Sequence, residues 1–256
     1  MVRIPAGIAH IGGDNGRPDE TPAFTTPVAA FELDRSPVTV AQFSRFVKQR
    51  GYRTDAERLG SGAVMRYGTG QWRLQPGATW QHPLGPDKPA ALSDHPVTQV
   101  SWNDATAYCA AYGKRLPSEV EHEYAARGGK ANGPAHAFGT ELEHNGKYRA
   151  NVWTGVFPMV NTRKDGYLGT SPVGAFGTGP FGLTDMAGNV WEWTQDWYRP
   201  YSERQQPWPP GRAGEKVQRG GSYLCDPTVC YGFRVSARAH ATPDSSHMHV
   251  GFRCAR

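Results

Sequence analysis

The sequence predicts an α+β fold built as a single loop-rich domain over residues 1–256, with a few helices in the N-terminal half and short antiparallel strands. The 31 Gly and 21 Pro residues are typical of a compact protein with little regular secondary structure, and not of a helical bundle. Helix signals are concentrated before residue 130, and short apolar runs alternate with turn residues elsewhere. The 8 Trp residues indicate that large rings carry much of the packing.

The N-terminal segment predicts short strands followed by one helix. Apolar runs at residues 4–8 and 28–33 are separated by a turn at residues 12–16, which is rich in Gly, Asp and Asn. A helix is expected to begin after Thr39, because Thr39 and Gln42 form a capping box and Phe43 and Phe46 continue an apolar stripe. Gly51 is placed to end it.

Residues 52–96 have no sustained periodicity, which predicts a long ordered loop region with one or two strands. Long loops in compact domains are often functional, so this region is a candidate wall of a binding cleft. Two more helices follow, at residues 105–112 and 120–126, each predicted from a capping pair and closing glycines: Ser101, Asp104 and Gly113, then Ser118, Glu121, Gly128 and Gly129. Without a basic recognition face, these two helices are scaffold and not a DNA reader.

The net charge and the apolar content of individual segments argue against nucleic-acid and membrane partners. The net charge of +5 comes from scattered Lys and Arg residues, which disfavours nucleic-acid binding because tracking phosphates needs a concentrated basic face. The sequence contains no apolar signal segment and no run long enough to cross a bilayer. We therefore expect a cytoplasmic monomer with neither nucleic-acid nor membrane partners.

The most informative stretch is residues 219–230, which holds two of the 4 cysteines. Gly220 and Gly221 permit positive φ, and the Asp-Pro pair that follows Cys225 forces a tight turn, so the loop can bring Cys225 and Cys230 together. The two sulfurs could form a disulfide, a metal site or a redox couple, or could be two buried small apolar groups. Further Cys or His ligands for a closed zinc site are lacking nearby. In a reducing compartment, catalysis or metal binding is favoured over a disulfide framework.

Motifs along essentially the whole chain resemble one family. They are IPAG at residues 4–7, DHPV at 94–97, VSWNDA at 100–105, GKRLPSE at 113–119, EYAARGG at 123–129, GNVWEWT at 188–194, RGGS at 219–222 and GFRC at 251–254. Together they resemble the formylglycine-generating enzyme (sulfatase-modifying factor) family, which implies a C-type-lectin-like fold. Sulfoxide synthases and non-catalytic binding modules share this architecture. The segment from Ser222 to Cys225, with Cys230 and TPDSS at 242–246, looks like the signature of true formylglycine-generating enzymes.

The resemblance implies a copper-dependent oxidase. Cys225 and Cys230 would bind one Cu(I), for which soft sulfur ligands are selective. The substrate would be an unfolded sulfatase segment reading Cys-x-Pro-x-Arg, whose cysteine is oxidised to formylglycine with dioxygen as co-substrate. Ser222 matches the family serine beside the oxygen pocket, although it could instead be only a turn residue after Gly-Gly. Ser246 and His249 match positions that line the substrate cleft, and His249 could also be a surface imidazole.

The resemblance also implies two structural calcium sites, for which hard oxygen ligands are suited. Asn151, Val152, Asp165 and Tyr167 would form the first, and Asp185, Gly188, Val190 and Glu192 the second, with side chains from the polar residues and carbonyls from the others. Relatives from secretory compartments pair cysteines at four positions, two of which are Ala126 and Val235 here. The other two, Cys109 and Cys254, could be a disulfide or buried free thiols.

Three functions remain open at this level. The first is copper- and oxygen-dependent formation of formylglycine. The second is a non-catalytic binding or immunity protein of the same superfamily, which would have no chemical need for Cys225 and Cys230. The third is a thiol-disulfide redox protein that uses the same pair without metal.

Overall fold

The structure is a computed structural model that describes residues 1–13, 17–130, 133–209 and 211–256. Residues 14–16 of the predicted first turn lie outside the described residues. Within the described ranges no helix is both long enough and apolar enough to cross a membrane. Regular elements are short, as expected from the Gly and Pro content, and the predicted α+β class is confirmed.

The α-helices of the described chain all lie between residues 40 and 126, and each begins with a capping box. They are Val40–Arg50 (α1), Asp55–Leu59 (α2), Trp102–Ala111 (α3) and Glu119–Ala126 (α4). The three predicted helices are confirmed, and Gly51 ends α1 in the left-handed conformation at φ 59°. Helix α2 was missed, because five residues are too few to show periodicity. Its only signals are the Thr54–Glu57 capping box and the left-handed Gly60.

The strands form five separate antiparallel pairs and one four-stranded sheet among the described residues. They are Val2–Ile4 (β1), Gly7–Ile11 (β2), Phe24–Val28 (β3), Phe31–Leu33 (β4), Ser61–Met65 (β5), Trp72–Pro76 (β6), Glu143–His144 (β7), Lys147–Tyr148 (β8), Gly155–Val156 (β9), Val160–Asn161 (β10), Trp191–Trp197 (β11), Lys216–Arg219 (β12), Arg238–Ala241 (β13) and Val250–Gly251 (β14). The large sheet has the order β13-β12-β11-β14, and short 3-10 helices occur at Pro18–Glu20, Pro180–Gly182 and Tyr201–Glu203.

One sequence expectation about strands needs correction. The β11–β14 pair is parallel, with Trp191 opposite Val250, although only antiparallel strands were expected. Residues 151–153, 165–167 and 181–183 form irregular, turn and partly 3-10 segments. In the loop region 52–96, β5 and β6 form one hairpin, which agrees with the expected one or two strands.

Buried ion pairs lie beneath the four-stranded sheet. Arg219 contacts Glu123, and Arg253 contacts Glu192 at 2.6 Å, with all four side chains almost fully buried. Charges taken out of water in this way are tolerated when they are paired and hydrogen-bonded. Arg219 is also the last residue of β12, so this pairing fixes the point from which the cysteine-containing loop departs.

The structure joins Cys109 to Cys254 as a disulfide, which decides the alternative left open by the sequence. The bond connects α3 to the C-terminal segment, and the two Cα atoms are 5.7 Å apart. Both cysteines are fully buried in the main apolar core. A smaller apolar core lies apart from it and consists of Val64, Met65, Ala78, Trp153, Tyr223, Leu224 and Met248.

Candidate active site

The loop that carries the two central cysteines starts with two glycines at positive φ, a conformation that other residues rarely adopt. Gly220 and Gly221 follow β12 with φ values of 94° and 74°. A Cβ on Gly221 would lie only 2.6 Å from the backbone nitrogen of Phe233, so no larger residue fits there. The chain therefore reverses sharply after Arg219 and places Ser222 and Cys225 in the interior, where both are almost completely buried.

Cys225 and Cys230 are brought together by a compact turn. Their Cα atoms are 4.9 Å apart, and the structure joins their sulfur atoms as a disulfide. Asp226 fixes the turn, because its Oδ1 accepts hydrogen bonds from the backbone N–H groups of Thr228 at 2.6 Å and Val229 at 2.9 Å. Cys225 is buried and Cys230 is partly exposed, so the pair lies at the edge of the interior.

Gly232 packs closely against both sulfur atoms. A Cβ on Gly232 would lie 2.8 Å from the sulfur of Cys230, 2.9 Å from that of Cys225 and 2.5 Å from the ring of Trp191. Any side chain there would collide with the sulfurs and the indole, so only glycine fits at this contact. Two adjacent sulfurs, once reduced, are ligands that suit a soft metal ion of low coordination number.

Ser222 and His249 form a hydrogen-bonded pair next to Cys225. The hydroxyl oxygen of Ser222 lies 2.9 Å from Nδ1 of His249 and 4.0 Å from the sulfur of Cys225, and it accepts a hydrogen bond from the backbone of Leu224. Burial, with a smaller contribution from His247, lowers the pKa of His249 well below its ordinary value, so the ring is neutral. His249 is thus part of this cluster and not an isolated surface imidazole.

The β5–β6 hairpin forms one side of the site, as expected for the region 52–96. The ring of Trp72 lies 5.0 Å from the ring of His249, and Trp72 is 46% exposed. Ser246 is placed beside this hairpin, where its carbonyl accepts a hydrogen bond from Ala63 at 2.9 Å. Ser246 lines a groove of about 420 Å³ together with Leu74 and other residues of the hairpin. The structure therefore places Ser246 in a neighbouring groove, at a different point from the Ser222–His249 pair.

Three residues that shape the site were missed in the sequence. Arg17 donates hydrogen bonds to the carbonyls of Val229 at 3.0 Å and Cys230 at 2.8 Å, across more than 200 residues of chain. Neither Arg17 nor Trp72 has a local signal that could have revealed this role. Gly232 could have been noticed, because a glycine two residues after Cys230 permits close approach to the sulfur.

A cavity larger than the groove at Ser246 lies away from this site. It has a volume of about 710 Å³ and lies at the far end of β11, beside Trp102, Trp197 and Lys216. The ammonium group of Lys216 is placed 4.1 Å from the ring of Trp102 and 3.7 Å from that of Trp197, and it donates to the carbonyl of Gln195. Because protein groups already surround this charge, the cavity offers no clear chemistry for a ligand.

The first calcium set fits a hard cation. Oδ1 of Asn151 is buried and accepts no hydrogen bond from the described residues. The Asp165 carboxylate accepts only from the backbone N–H groups of Val152 at 3.0 Å and Tyr167 at 3.1 Å, and burial raises its pKa. An orphaned amide oxygen near a buried carboxylate without a cationic partner in the described chain is the donor set that calcium uses.

The second calcium set fits only in part. Burial raises the pKa of Asp185, whose carboxylate accepts from the backbone of Gly174 and from Asn189. Glu192 differs, because Arg253 donates to both of its oxygens at 2.6 and 2.7 Å and His122 lies 3.1 Å away. Burial acts to raise the pKa of Glu192, but Arg253 and His122 outweigh it and hold that pKa below its usual value. This second site stays a prediction.

Comparison with known proteins decides the family. The model of the Sulfatase-modifying factor enzyme 1-like domain matches residues 1–256. The chain belongs to this family. Among its sulfatase-modifying factor relatives, the Formylglycine-generating enzyme of Streptomyces coelicolor is 45% identical over 278 residues, which cover 100% of this chain and 88% of that protein. The Inactive C-alpha-formylglycine-generating enzyme 2 of Mus musculus is 38% identical over 275 residues, covering 100% of this chain and 85% of that protein.

A solved structure supports the fold of this sulfatase-modifying factor member. PvdO from Pseudomonas aeruginosa superposes with a TM-score of 0.75 at 28% identity, covering 99% of this chain and 92% of that one. The family resemblance and the fold predicted from the sequence motifs are therefore confirmed. Because one relative is named as inactive, membership alone does not establish activity, and the side chains of the site have to carry the functional argument.

Proposed function

We propose that this protein oxidises a sulfatase cysteine to formylglycine, in a Cys-x-Pro-x-Arg segment, with Cu(I) and dioxygen. The observation that carries the proposal is the Cys225–Cys230 pair, which a compact turn brings together at the edge of the interior beside the Ser222 hydroxyl. The 45% identity to a Formylglycine-generating enzyme over the whole chain supports the same reaction. A binding module would have no chemical use for two such cysteines at a partly open site.

Cys225 and Cys230, reduced to thiolates, would hold the copper ion. Bound Cu(I) would supply the centre at which dioxygen is reduced and the thiolate of the substrate is ligated. The turn fixed by Asp226 would keep Cys225 and Cys230 close together after reduction, and Arg17 would hold the backbone of Cys230 in place. Such preorganisation lowers the cost of binding the metal.

Ser222 and His249 would orient the substrate sulfur. The neutral imidazole fixes the rotation of the Ser222 hydroxyl, and the N–H of Leu224 occupies one lone pair of its oxygen. A hydroxyl held 4.0 Å from the sulfur of Cys225 can hydrogen-bond a sulfur that arrives beside the pair. Ser246 would contact the polypeptide further along the groove. The monomeric state and the cytoplasmic location stay predictions.

The decisive experiment is turnover of a short Cys-x-Pro-x-Arg peptide, followed by mass spectrometry. The protein is reduced, stripped of metal and assayed both in air and under nitrogen, before and after one equivalent of Cu(I). We expect conversion of the thiol to an aldehyde only with both copper and oxygen. Thiol-disulfide exchange that needs neither would support the redox alternative. Folded protein that yields no aldehyde under any of these conditions would support the binding-module alternative.

We also propose that the first calcium set binds calcium and stabilises the irregular region around residues 151–167. Calcium at a hundredfold excess over its Kd should add about 2.7 kcal/mol to the free energy of unfolding. Asp165→Asn should abolish this response, because it removes the only carboxylate of the set. Calorimetry in calcium and in EGTA measures it, with the exposed Asp87→Asn as control. An unchanged melting temperature of the wild type in EGTA would contradict the proposal.

A further inference from the structure

The hairpin formed by β9 and β10 presents an unusual apolar surface. Val156, Met159 and Val160 are 56%, 64% and 54% exposed, although they lie within five residues of one another. On the inner side of the hairpin, Phe157 packs edge-to-face on Trp153 with ring centroids 5.2 Å apart. The hairpin is therefore anchored to the smaller apolar core, while its outer side chains remain in water. Grouped exposed apolar side chains on an anchored element are typical of an interaction surface.

This hairpin is directly connected to the cysteine pair. The indole N–H of Trp153 donates to the carbonyl of Val160 at 3.1 Å, and the backbone N–H of the same residue donates to the carbonyl of Cys225 at 2.9 Å. One residue thus bridges the hairpin and the candidate active site. A displacement of the hairpin would therefore also displace the backbone of Cys225. We expect a polypeptide bound at the cysteines to continue past this hairpin.

The hairpin also continues the wall formed by β5 and β6. The carbonyl of Pro158 accepts a hydrogen bond from Gly68 at 2.8 Å, in the turn that joins those two strands. A Cβ on Gly70, in the same turn, would lie only 3.0 Å from the ring of Pro158, which shows how closely the two hairpins pack. Trp72 follows in β6 and reaches His249. The β9–β10 hairpin therefore contacts the hairpin that carries Trp72, and Trp72 in turn lies beside His249.

We infer that the β9–β10 hairpin binds an apolar stretch of the unfolded substrate polypeptide, outside the Cys-x-Pro-x-Arg motif. This inference rests on the proposed function. A five-residue motif spans at most about 17 Å, so the chain that continues from a bound motif has to cross the rim of the site. An unfolded chain exposes apolar side chains that a folded protein buries, and Val156, Met159 and Val160 offer them a matching surface.

A folded partner or a second copy of this chain fits the hairpin less well. Stable interfaces bury about 800 Å² on each partner, which is far more than three side chains provide. A flexible polypeptide needs no such area. The copper site would supply most of its binding free energy, and the tethered apolar stretch would then meet the hairpin at high effective concentration. The hairpin would then favour long unfolded substrates over short motif peptides.

The test uses the triple variant Val156→Thr, Met159→Gln and Val160→Thr, which keeps β-branched residues in the two strands. Two substrates are compared on the full-length, copper-loaded protein: a peptide with the motif alone, and an unfolded peptide of about 25 residues with apolar residues on both sides, long enough to reach beyond the site. We expect kcat/KM for the long peptide to fall about tenfold, through KM, with less than a twofold change for the short one. Ile8→Thr is the control, because Ile8 is 56% exposed on β2.

A second measurement does not depend on turnover. Fluorescence anisotropy with the long peptide, its cysteine replaced by serine, should give a Kd about tenfold higher for the triple variant than for the wild type. Equal losses for the long and short peptides, or no loss for either, would overturn the inference but leave the proposed function intact. A wild-type dimer that the triple variant converts to monomer, seen by sedimentation, would identify the hairpin as a self-association surface instead. A wild type inactive on both peptides would contradict the proposed function itself.

Discussion

Replacing Cys225 or Cys230 with serine is expected to lower turnover of the motif peptide below about one-thousandth of the wild-type value, a loss of about 4 kcal/mol in transition-state stabilisation. Each cysteine would supply one of only two protein ligands, and a serine hydroxyl is a poor ligand for Cu(I). Serine is close to cysteine in size, so the buried Cys225 position should still pack. Steady-state kinetics, Cu(I) titration and circular dichroism on the reduced variants measure the effect.

The matched control is the other cysteine pair. Cys109→Ala combined with Cys254→Ala removes the disulfide that joins α3 to the C-terminal segment. This double variant should lose stability by a few kcal/mol and keep its turnover, since neither cysteine takes part in the hydrogen bonds of Ser222, His249 or Cys225 at the site. If the Cys225 and Cys230 variants instead lose stability and retain activity, that pair is a structural bridge and the copper proposal is wrong.

The elements predicted correctly from the sequence are those whose signals, such as capping pairs and terminal glycines, lie within a few residues of one another. Helices α1, α3 and α4 were located by capping pairs and by glycines at their ends, because a capping box is a contact between residues three apart. The parallel pairing of Trp191 with Val250 could not be seen in this way. Their separation along the chain is large, and parallel pairing leaves no turn signal between the strands.

The same distinction applies to the site. Cys225, Cys230 and Ser222 are within nine residues, and the motif match added His249, which the structure places 2.9 Å from Ser222. Contacts that depend on tertiary packing could not be predicted from the sequence. Glu192 was expected among calcium ligands, but whether Arg253 would reach its carboxylate depends on the packing of two strands. The predicted role came from the family resemblance at that position, whereas the arginine that contacts Glu192 is 61 residues away.

Glu123→Gln is expected to cost about 3–5 kcal/mol of stability, because it removes the buried carboxylate that pairs with both Arg219 and Arg127 and leaves Arg219 only the more distant Glu119. The Glu123 carboxylate is fully buried and accepts hydrogen bonds from Arg219, from Arg127 at 2.6 Å and from the backbone of Gly12 at 3.0 Å. A glutamine amide carries one acceptor oxygen in place of two, and its NH₂ group would face donors. Differential scanning calorimetry should show a melting temperature lower by about 10 °C.

The loss at Glu123 should also reach the cysteine loop. Arg219 additionally donates to the carbonyls of Ser236 and Ala237, each at 2.7 Å, and directly precedes the two glycines that turn the chain towards Ser222. A displaced Arg219 would therefore move the start of that loop, so turnover should fall even at temperatures where the variant is folded. Glu143→Gln, on exposed β7, is the control and should change stability by less than about 0.5 kcal/mol. Equal stability of the two variants would mean that the carbonyl contacts alone hold Arg219, and that the position of the cysteine loop does not depend on the buried charge.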